Sequence, residues 1–197
     1  MRKFDYIFGV GPGKSGTHSL LAALTFFDLD VCHFGQNTYQ NDGQPVLCQH
    51  VLNNAKIGKK LLDGVPRFDA YVDYPICDFI PELDTQYPDA LFILTFRPPE
   101  DAAFSWARMC LAQKLTHWPQ QNRFSEYITS ARRVYDTAFN IFDGRPEKML
   151  VLDTRIAGAT NMKKIANFLD LPLSDKFYPH AFDHKDWYSN ERHNGNS

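Results

Sequence analysis

A glycine-rich turn that carries a single lysine constrains this chain more than any other feature. Residues 9–17 read Gly-Val-Gly-Pro-Gly-Lys-Ser-Gly-Thr, between a run at 4–8 that reads as a buried strand and a helical run at 19–27. Glycines let backbone N–H groups close around an anion, and the start of a helix adds partial positive charge. Lys14 adds a full positive charge. The pattern predicts a phosphate cradle between the first strand and the first helix.

The spacing within this turn separates two kinds of phosphate loop. The nucleotide triphosphatase pattern G-x-x-x-x-G-K-[ST] requires glycine at position 8, where this chain has Phe8. Residues 12–17, Pro-Gly-Lys-Ser-Gly-Thr, instead resemble the 5′-phosphosulfate loop of sulfotransferases, P-x-[KR]-[ST]-G-T-[TS]. The alternative is a glycine turn at a strand–helix junction that binds no phosphate. A second phosphate-binding motif elsewhere in the chain would argue against that alternative.

That second motif follows a later apolar run at 90–96, where Arg97 and two prolines precede Ser105. Proline suits the first turn of a helix, and Ser105 then lies about two helical turns further on, so that its hydroxyl can return to an anion held by Arg97. The planar guanidinium of arginine matches phosphate. The arrangement resembles the 3′-phosphate motif of sulfotransferases, and residues 161–180 resemble the tail of their small soluble members.

The resemblance implies an enzyme that uses 3′-phosphoadenosine-5′-phosphosulfate (PAPS) and releases 3′-phosphoadenosine-5′-phosphate, without a metal. It would transfer a sulfuryl group to a hydroxyl or an amine, with Lys14 stabilising the leaving phosphate. The donor-binding residues that it implies are Gly13, Lys14, Ser15, Gly16, Thr17, His18, Arg97 and Ser105.

The acceptor hydroxyl also needs a base. Cytosolic sulfotransferases use a histidine in a K-T-H-x-P segment, and residues 71–75, Tyr-Val-Asp-Tyr-Pro, occupy the comparable place. The match puts Asp73 where that histidine would be, and an aspartate can act if burial raises its pKa. His33, at the end of the second predicted strand, is the other candidate. For His18, a backbone role in the cradle is favoured over proton transfer.

Two departures from the family concern the adenine pocket. The familiar loop ends in a tryptophan that stacks on adenine, and the comparable residue here is Ser19. The late R-K-G-x-x-G segment is missing as well. Lys185, Trp187 and Arg192 lie in the right part of the chain to substitute for it, although an exposed tail is the simpler interpretation.

Apolar runs of strand length alternate with helical runs along the chain. The predicted strands are residues 6–10, 30–34, 70–74, 91–96 and 149–153. The predicted helices are residues 17–27, 46–62, 79–86, 100–114, 124–142 and 160–169. Such alternation predicts a parallel sheet covered on both faces, with ligands bound beyond the carboxyl ends of its strands. Lys14, Asp73 and Arg97 follow the first, third and fourth strands, so we expect them to share one site.

We therefore expect a three-layer α/β fold, with a central parallel sheet of about five strands flanked by helices, as in the P-loop-like sulfotransferase fold. A single domain would span residues 1–187, followed by a polar, flexible tail at 188–197. In the fifth predicted helix, Tyr127 and Tyr135 belong to a set of apolar positions repeating every three or four residues, which indicates a buried helix face.

Composition narrows the partners and the compartment. The formal net charge is −2, so no strong field draws the chain to nucleic acid or to an anionic membrane. The cysteines, Cys32, Cys48, Cys77 and Cys110, are scattered, which favours reduced thiols over a metal site or a disulfide framework. No signal-peptide pattern and no apolar run near twenty residues is found. We expect a cytoplasmic protein that acts on a small-molecule or glycan acceptor, with its oligomeric state left open.

Two other functions stay open at this point. A P-loop kinase for a small molecule or nucleoside would also use a lysine-bearing glycine turn, although the displaced glycine and the missing magnesium segment weigh against it. A non-catalytic nucleotide-binding protein would keep the cradle without the chemistry. The missing adenine stack and the aspartate in place of a histidine base are compatible with that second alternative.

Overall fold

The computed structural model of the chain describes residues 4–34, 47–112, 121–156 and 158–173. Lys185, Trp187 and Arg192 lie outside these residues, as do the predicted tail at 188–197 and the side chain of Cys110. The predicted boundary between domain and tail therefore stays a prediction.

A five-stranded parallel sheet forms the centre of the fold, in the order β2-β3-β1-β4-β5. The strands are β1 (Ile7–Gly9), β2 (Val31–His33), β3 (Ala70–Val72), β4 (Leu91–Phe96) and β5 (Met149–Asp153). Ile7 of β1 lies opposite Ala70 on one side and Leu91 on the other. Each predicted strand is present, with ends that differ by at most two residues, because continuous apolar runs suit strands buried on both faces.

Helices connect the strands on both faces of the sheet. They are α1 (Thr17–Phe26), α2 (Leu47–Lys56), α3 (Ile80–Gln86), α4 (Pro99–Ala112), α5 (Gln121–Ile141) and α6 (Gly158–Leu169). Side chains of α2, α3 and α5 share one buried cluster with one face of the sheet. Those of α1 and α6 share a second cluster with the opposite face. The three-layer α/β fold expected from the sequence is confirmed.

The predicted helix at 46–62 was too long, since α2 ends at Lys56. Gly58 has φ +70°, a left-handed conformation that commonly ends a helix. Beyond it, the carboxamide of Asn54 donates hydrogen bonds to the carbonyl oxygens of Leu61 (3.1 Å) and Asp63 (2.8 Å). Residues 59–63 therefore fold back onto the helix end instead of extending it.

The chain direction across the sheet positions the site. The connection that leaves β1 runs toward β2, whereas the connection that leaves β4 runs toward β5 on the other side. Ligands of open α/β sheets bind beyond the strands' carboxyl ends at such a reversal.

Cys32, Cys48 and Cys77 are buried free thiols. Within the described ranges, no helix is both long and apolar enough to cross a membrane. The same ranges hold no cluster of three or more metal-ligating side chains.

Candidate functional site

The glycine-rich turn after β1 forms a tight loop seated against β4. The Val10 N–H donates to the Ile93 carbonyl (3.0 Å), and the Ser15 N–H donates to the Pro12 carbonyl (3.1 Å). The buried hydroxyls of Ser15 and Thr95 lie 2.6 Å apart. A Cβ on Gly11 would overlap the Thr95 hydroxyl and lie 2.7 Å from the Thr95 carbonyl oxygen, so only glycine fits at this position.

Two residues of the loop have left-handed backbone conformations, Lys14 at φ +63° and Gly16 at φ +113°. Helix α1 begins at Thr17 directly after them, and the Leu20 N–H donates to the Gly16 carbonyl (3.0 Å). The result is the glycine turn at a helix start that the sequence predicts, and such turns bind anions through their backbone N–H groups.

The cations of the two sequence motifs meet at this loop. The Arg97 guanidinium donates from Nη1 to the Lys14 carbonyl oxygen at 3.4 Å. The Lys14 ammonium lies 3.4 Å from the Met109 sulfur of α4. Ser105, also on α4, is only 6% exposed. Side chains that follow β1 and β4 therefore place two positive charges at one edge of the sheet.

Two tyrosines of α5 hold these segments in place. The Tyr127 hydroxyl donates to the carbonyl oxygen of Gly13 in the loop, and its ring stacks on Trp106 of α4 with centroids 5.5 Å apart. The Tyr135 hydroxyl donates to the Arg97 carbonyl (2.8 Å) and accepts from the Arg97 N–H (3.2 Å). Sequence reasoning assigned both tyrosines to core packing, because apolar spacing does not reveal where a hydroxyl points.

The predicted base lies beside the loop. Asp73 follows β3 with φ +80°, and its N–H donates to the Gly9 carbonyl (3.3 Å). Burial raises the pKa of its carboxyl, while a hydrogen bond from the Tyr74 N–H and the charges of His18 and Lys14 act to lower it. A half-buried carboxyl with a raised pKa, next to a lysine, has the properties expected of a general base.

His33 packs behind Asp73 and is 2% exposed. Its Nε2 lies 3.2 Å from the Thr17 hydroxyl and 3.7 Å from a carboxylate oxygen of Asp73. Its ring stacks on that of His18 with centroids 4.1 Å apart. Burial lowers the pKa of both histidines to about 4, so both are neutral at pH 7. We assign the His33 proton to Nε2, because Nδ1 has no partner among the described residues and an unpaired buried N–H is rare.

On the other side of the loop, a cavity of about 170 Å³ opens between α1 and α6. Gly16 and Ser19 line it from the loop and the start of α1, and residues 154–156 line it from the turn after β5. Thr154 also packs against Gly16, since a Cβ on that glycine would lie 2.5 Å from the Thr154 methyl carbon. The cavity is therefore continuous with the phosphate loop.

Comparison with known proteins places these features in a family. The sulfotransferase domain family matches residues 6–150, which contain both motifs. The chain belongs to this family.

A curated relative, "Ava biosynthesis cluster protein M" from Aspergillus versicolor, is 23% identical over 205 residues, covering 87% of this chain and 78% of that protein. A crystal structure of a sulfotransferase from Alicyclobacillus acidocaldarius superposes with a TM-score of 0.54 at 17% identity, over 94% of this chain and 88% of that one. The structural likeness supports the fold.

In this sulfotransferase-family chain, most of the residues singled out by sequence lie close together. Lys14, Arg97 and Asp73 meet around the loop, and Thr17, His18 and His33 pack directly behind it. Met109, Thr95 and the two α5 tyrosines complete the surroundings, and no motif pointed to them. Met109 lies one turn of helix after Ser105, and Thr95 lies two residues before Arg97, whereas the two tyrosines show only the apolar spacing of a buried helix face.

Proposed function

We propose that this chain is a sulfotransferase that moves a sulfuryl group from PAPS to a hydroxyl or amine of a small-molecule or glycan acceptor. The observation that carries the proposal is the meeting of the two motif cations, with the Arg97 guanidinium 3.4 Å from the Lys14 carbonyl. Two separate anion-binding side chains at one loop suit a ligand with two phosphate groups better than a ligand with one.

The loop fits the donor's 5′-phosphate. Gly11 and Gly16 let the loop pack directly against Thr95 and Thr154. The loop then leads into the start of α1, where backbone N–H groups can bind an anion. The N–H groups of residues 15–18, with the hydroxyls of Ser15 and Thr17, would hold this phosphate. Arg97 and Ser105 would hold the 3′-phosphate.

Each proposed catalytic side chain has a distinct task. The donor supplies the sulfuryl group, and the transition state of such transfers is expected to be loose, with charge moving to the leaving phosphate. Lys14 would neutralise that charge, and its ammonium would move away from the Met109 sulfur to reach the phosphate. Asp73 would take the proton of the acceptor as the new O–S or N–S bond forms and the S–O bond to the 5′-phosphate breaks. The Nε2 atom of His33 lies 3.2 Å from the Thr17 hydroxyl and 3.7 Å from the Asp73 carboxylate, so His33 would position these two groups.

The proposed reaction also has consequences for the need for a metal, for the cell compartment and for the binding partners. Lys14 can neutralise the leaving phosphate without a metal ion, so we propose a metal-independent reaction. Three buried free thiols favour a reducing compartment, in keeping with a cytoplasmic location. A net charge of −2 argues against nucleic acid or an anionic membrane as a partner.

The proposal is tested by donor binding and turnover. 3′-Phosphoadenosine-5′-phosphate should raise Tm, and ATP with Mg²⁺ should not. Labelled PAPS should pass its sulfuryl group to at least one member of a panel of phenols, alcohols, amines and glycans. Lys14→Ala should lower turnover by about 10²–10³, the scale for loss of one oxyanion donor. Lys163→Ala, an exposed lysine of α6, is the matched control.

Three results would count against the proposal. Stabilisation by ATP and Mg²⁺ alone would favour a kinase. Binding of the bisphosphate without turnover on any acceptor would favour a non-catalytic nucleotide-binding protein. Turnover in Lys14→Ala equal to that of the control variant would remove Lys14 from the mechanism.

A further inference from the structure

The cavity beside the phosphate loop has the make-up of a subsite for one flat, mostly apolar group. Its walls include five apolar side chains, Leu20, Ala23, Leu152, Met162 and Ile165. Its volume of about 170 Å³ is close to the roughly 150 Å³ that holds a benzene ring, and well below the roughly 300–1,000 Å³ of a complete ligand site. It therefore suits one ring system of a ligand whose remainder lies elsewhere.

Arg155 lies at this cavity with its guanidinium fixed by Asp153. Nε donates to Oδ1 at 2.9 Å, Nη2 donates to Oδ2 at 2.7 Å, and the Arg155 N–H donates to Oδ1 at 3.0 Å. The carboxylate occupies one edge of the guanidinium and offsets part of its charge, while the side chain stays 55% exposed. What remains for a ligand is a flat surface, and guanidinium planes stack well on aromatic rings.

The turn that carries Arg155 is held rigid by its neighbours. The Asn161 carboxamide donates to the Asp153 carbonyl at 3.0 Å and to the Ile156 carbonyl at 3.5 Å. The N–H and the hydroxyl of Thr154 both donate to the Phe96 carbonyl, at 3.0 and 3.2 Å. Arg155 is thus held on a preformed turn, so little ordering of the backbone would be needed on binding.

No described residue of the cavity carries an aromatic ring, and Arg155 carries the largest planar group among them. We propose that Arg155 is a ligand-binding residue for the heterocyclic base of the nucleotide donor, with the base in the cavity and the guanidinium plane against its face. This inference rests on the proposed function, because it assigns the base of the same donor whose phosphates occupy the loop.

Two substitutions separate the plane of Arg155 from its charge. Arg155→Met keeps the apolar stem and removes both, whereas Arg155→Lys keeps the charge and removes the plane. Arg145→Met is the matched control, because Arg145 also forms a two-point ion pair, with Asp84 at 2.8 and 3.0 Å, at the opposite edge of the sheet. Binding of 3′-phosphoadenosine-5′-phosphate, and of ribose 3,5-bisphosphate without the base, would be measured by calorimetry for each variant.

We expect both Arg155 variants to bind the adenosine bisphosphate about tenfold more weakly than the wild type, the lower end of the range for one stacking contact with a base. Their affinity for the base-free bisphosphate should equal that of the wild type, and Arg145→Met should bind both probes normally. Equal weakening for both probes would make Arg155 a phosphate ligand and overturn the inference. So would full affinity in either Arg155 variant. A wild-type protein that binds neither probe would instead overturn the proposed function, and the inference with it.

Discussion

Gly11 gives a direct test of how the phosphate loop is built, because a single methyl group added there has no space. The added Cβ would overlap the Thr95 hydroxyl, and it would lie 2.5 Å from the Ser15 hydroxyl and 2.7 Å from the Thr95 carbonyl oxygen. These two hydroxyls form a buried hydrogen bond of 2.6 Å. Gly11→Ala must therefore break that bond and move the loop away from β4.

The expected cost follows from these contacts. Overpacking of a filled interior costs about 1–3 kcal/mol, and loss of the hydroxyl pair adds about 1 kcal/mol. The free energy of unfolding should therefore fall by about 2–4 kcal/mol in Gly11→Ala. For a chain of this size, each kcal/mol corresponds to about 2–4 °C, so Tm should fall by about 5–15 °C.

Gly13→Ala is the matched control in the same loop. The nearest atom to its added Cβ is a carboxylate oxygen of Asp73 at 3.9 Å, an ordinary contact. Its stability should stay within about 0.5 kcal/mol of wild type. Thr95→Ala added to Gly11→Ala should recover part of the loss, since it removes the hydroxyl clash but leaves the carbonyl contact. Equal Tm values for the two single alanine variants, measured by calorimetry, would refute the view that Gly11 seats the loop on β4.

Three further outcomes follow from the site. Asp73→Asn should abolish the acid limb of the kcat–pH profile, because wild-type turnover falls as pH drops through the raised pKa of Asp73. The pKa values of His18 and His33 are lowered to about 4, so the stability that the two neutral histidines contribute should be full above pH ~6.5 and lost as pH falls toward 4. The free energy of unfolding, measured in urea at several pH values across this range, should depend less steeply on pH in His33→Gln than in the wild type. Tyr127→Phe should cost about 1 kcal/mol of stability in urea unfolding and raise the KM for the donor, since the Gly13 carbonyl loses its partner; an unchanged KM would show that the loop keeps its shape unaided.

The fold was predictable because a parallel sheet leaves a simple signature. Each strand is buried on both faces, so it appears in the sequence as an uninterrupted apolar run. Turn residues, such as Gly64 before β3 and the two prolines after Arg97, mark where one segment ends and the next begins. The overlong helix at 46–62 shows the limit of this approach. Apolar residues continue beyond Lys56, although Ile57, the first of them, is 63% exposed. Gly58 was the available stop signal, whereas the Asn54 contacts that fold the chain back depend on tertiary structure.

The meeting of residues that follow different strands was predictable for a geometric reason. All strands of a parallel sheet end at the same edge, so Lys14, Asp73 and Arg97 lie near one another in any order of the central strands. Thr95 was not predictable, because a threonine in an apolar strand gives no sign of whether its hydroxyl meets a serine eighty residues away. Met109 was not predictable as a lysine contact either, since its spacing on α4 is also that of a core residue.

Backbone conformation separates the site from the rest of the chain. Among the described residues, the non-glycine positions with positive φ are Lys14, Asp28, Asp73 and Asp170. Asp28 and Asp170 follow the last turns of α1 and α6, where the next N–H bonds back to the helix at 3.3 and 2.9 Å. Left-handed residues are common at such helix ends, so these two positions have a local explanation.

Lys14 and Asp73 end no helix. A left-handed conformation costs a lysine about 1–2 kcal/mol, whereas an aspartate adopts it more readily through a local hydrogen bond, here from the Tyr74 N–H to the Asp73 carboxyl. Glycine would adopt both backbones without that cost. Lysine at position 14 is therefore not explained by local chain geometry, and its side chain must supply the reason. That side chain carries the ammonium that the proposed transfer requires, and strain of this kind is expected in a functional site.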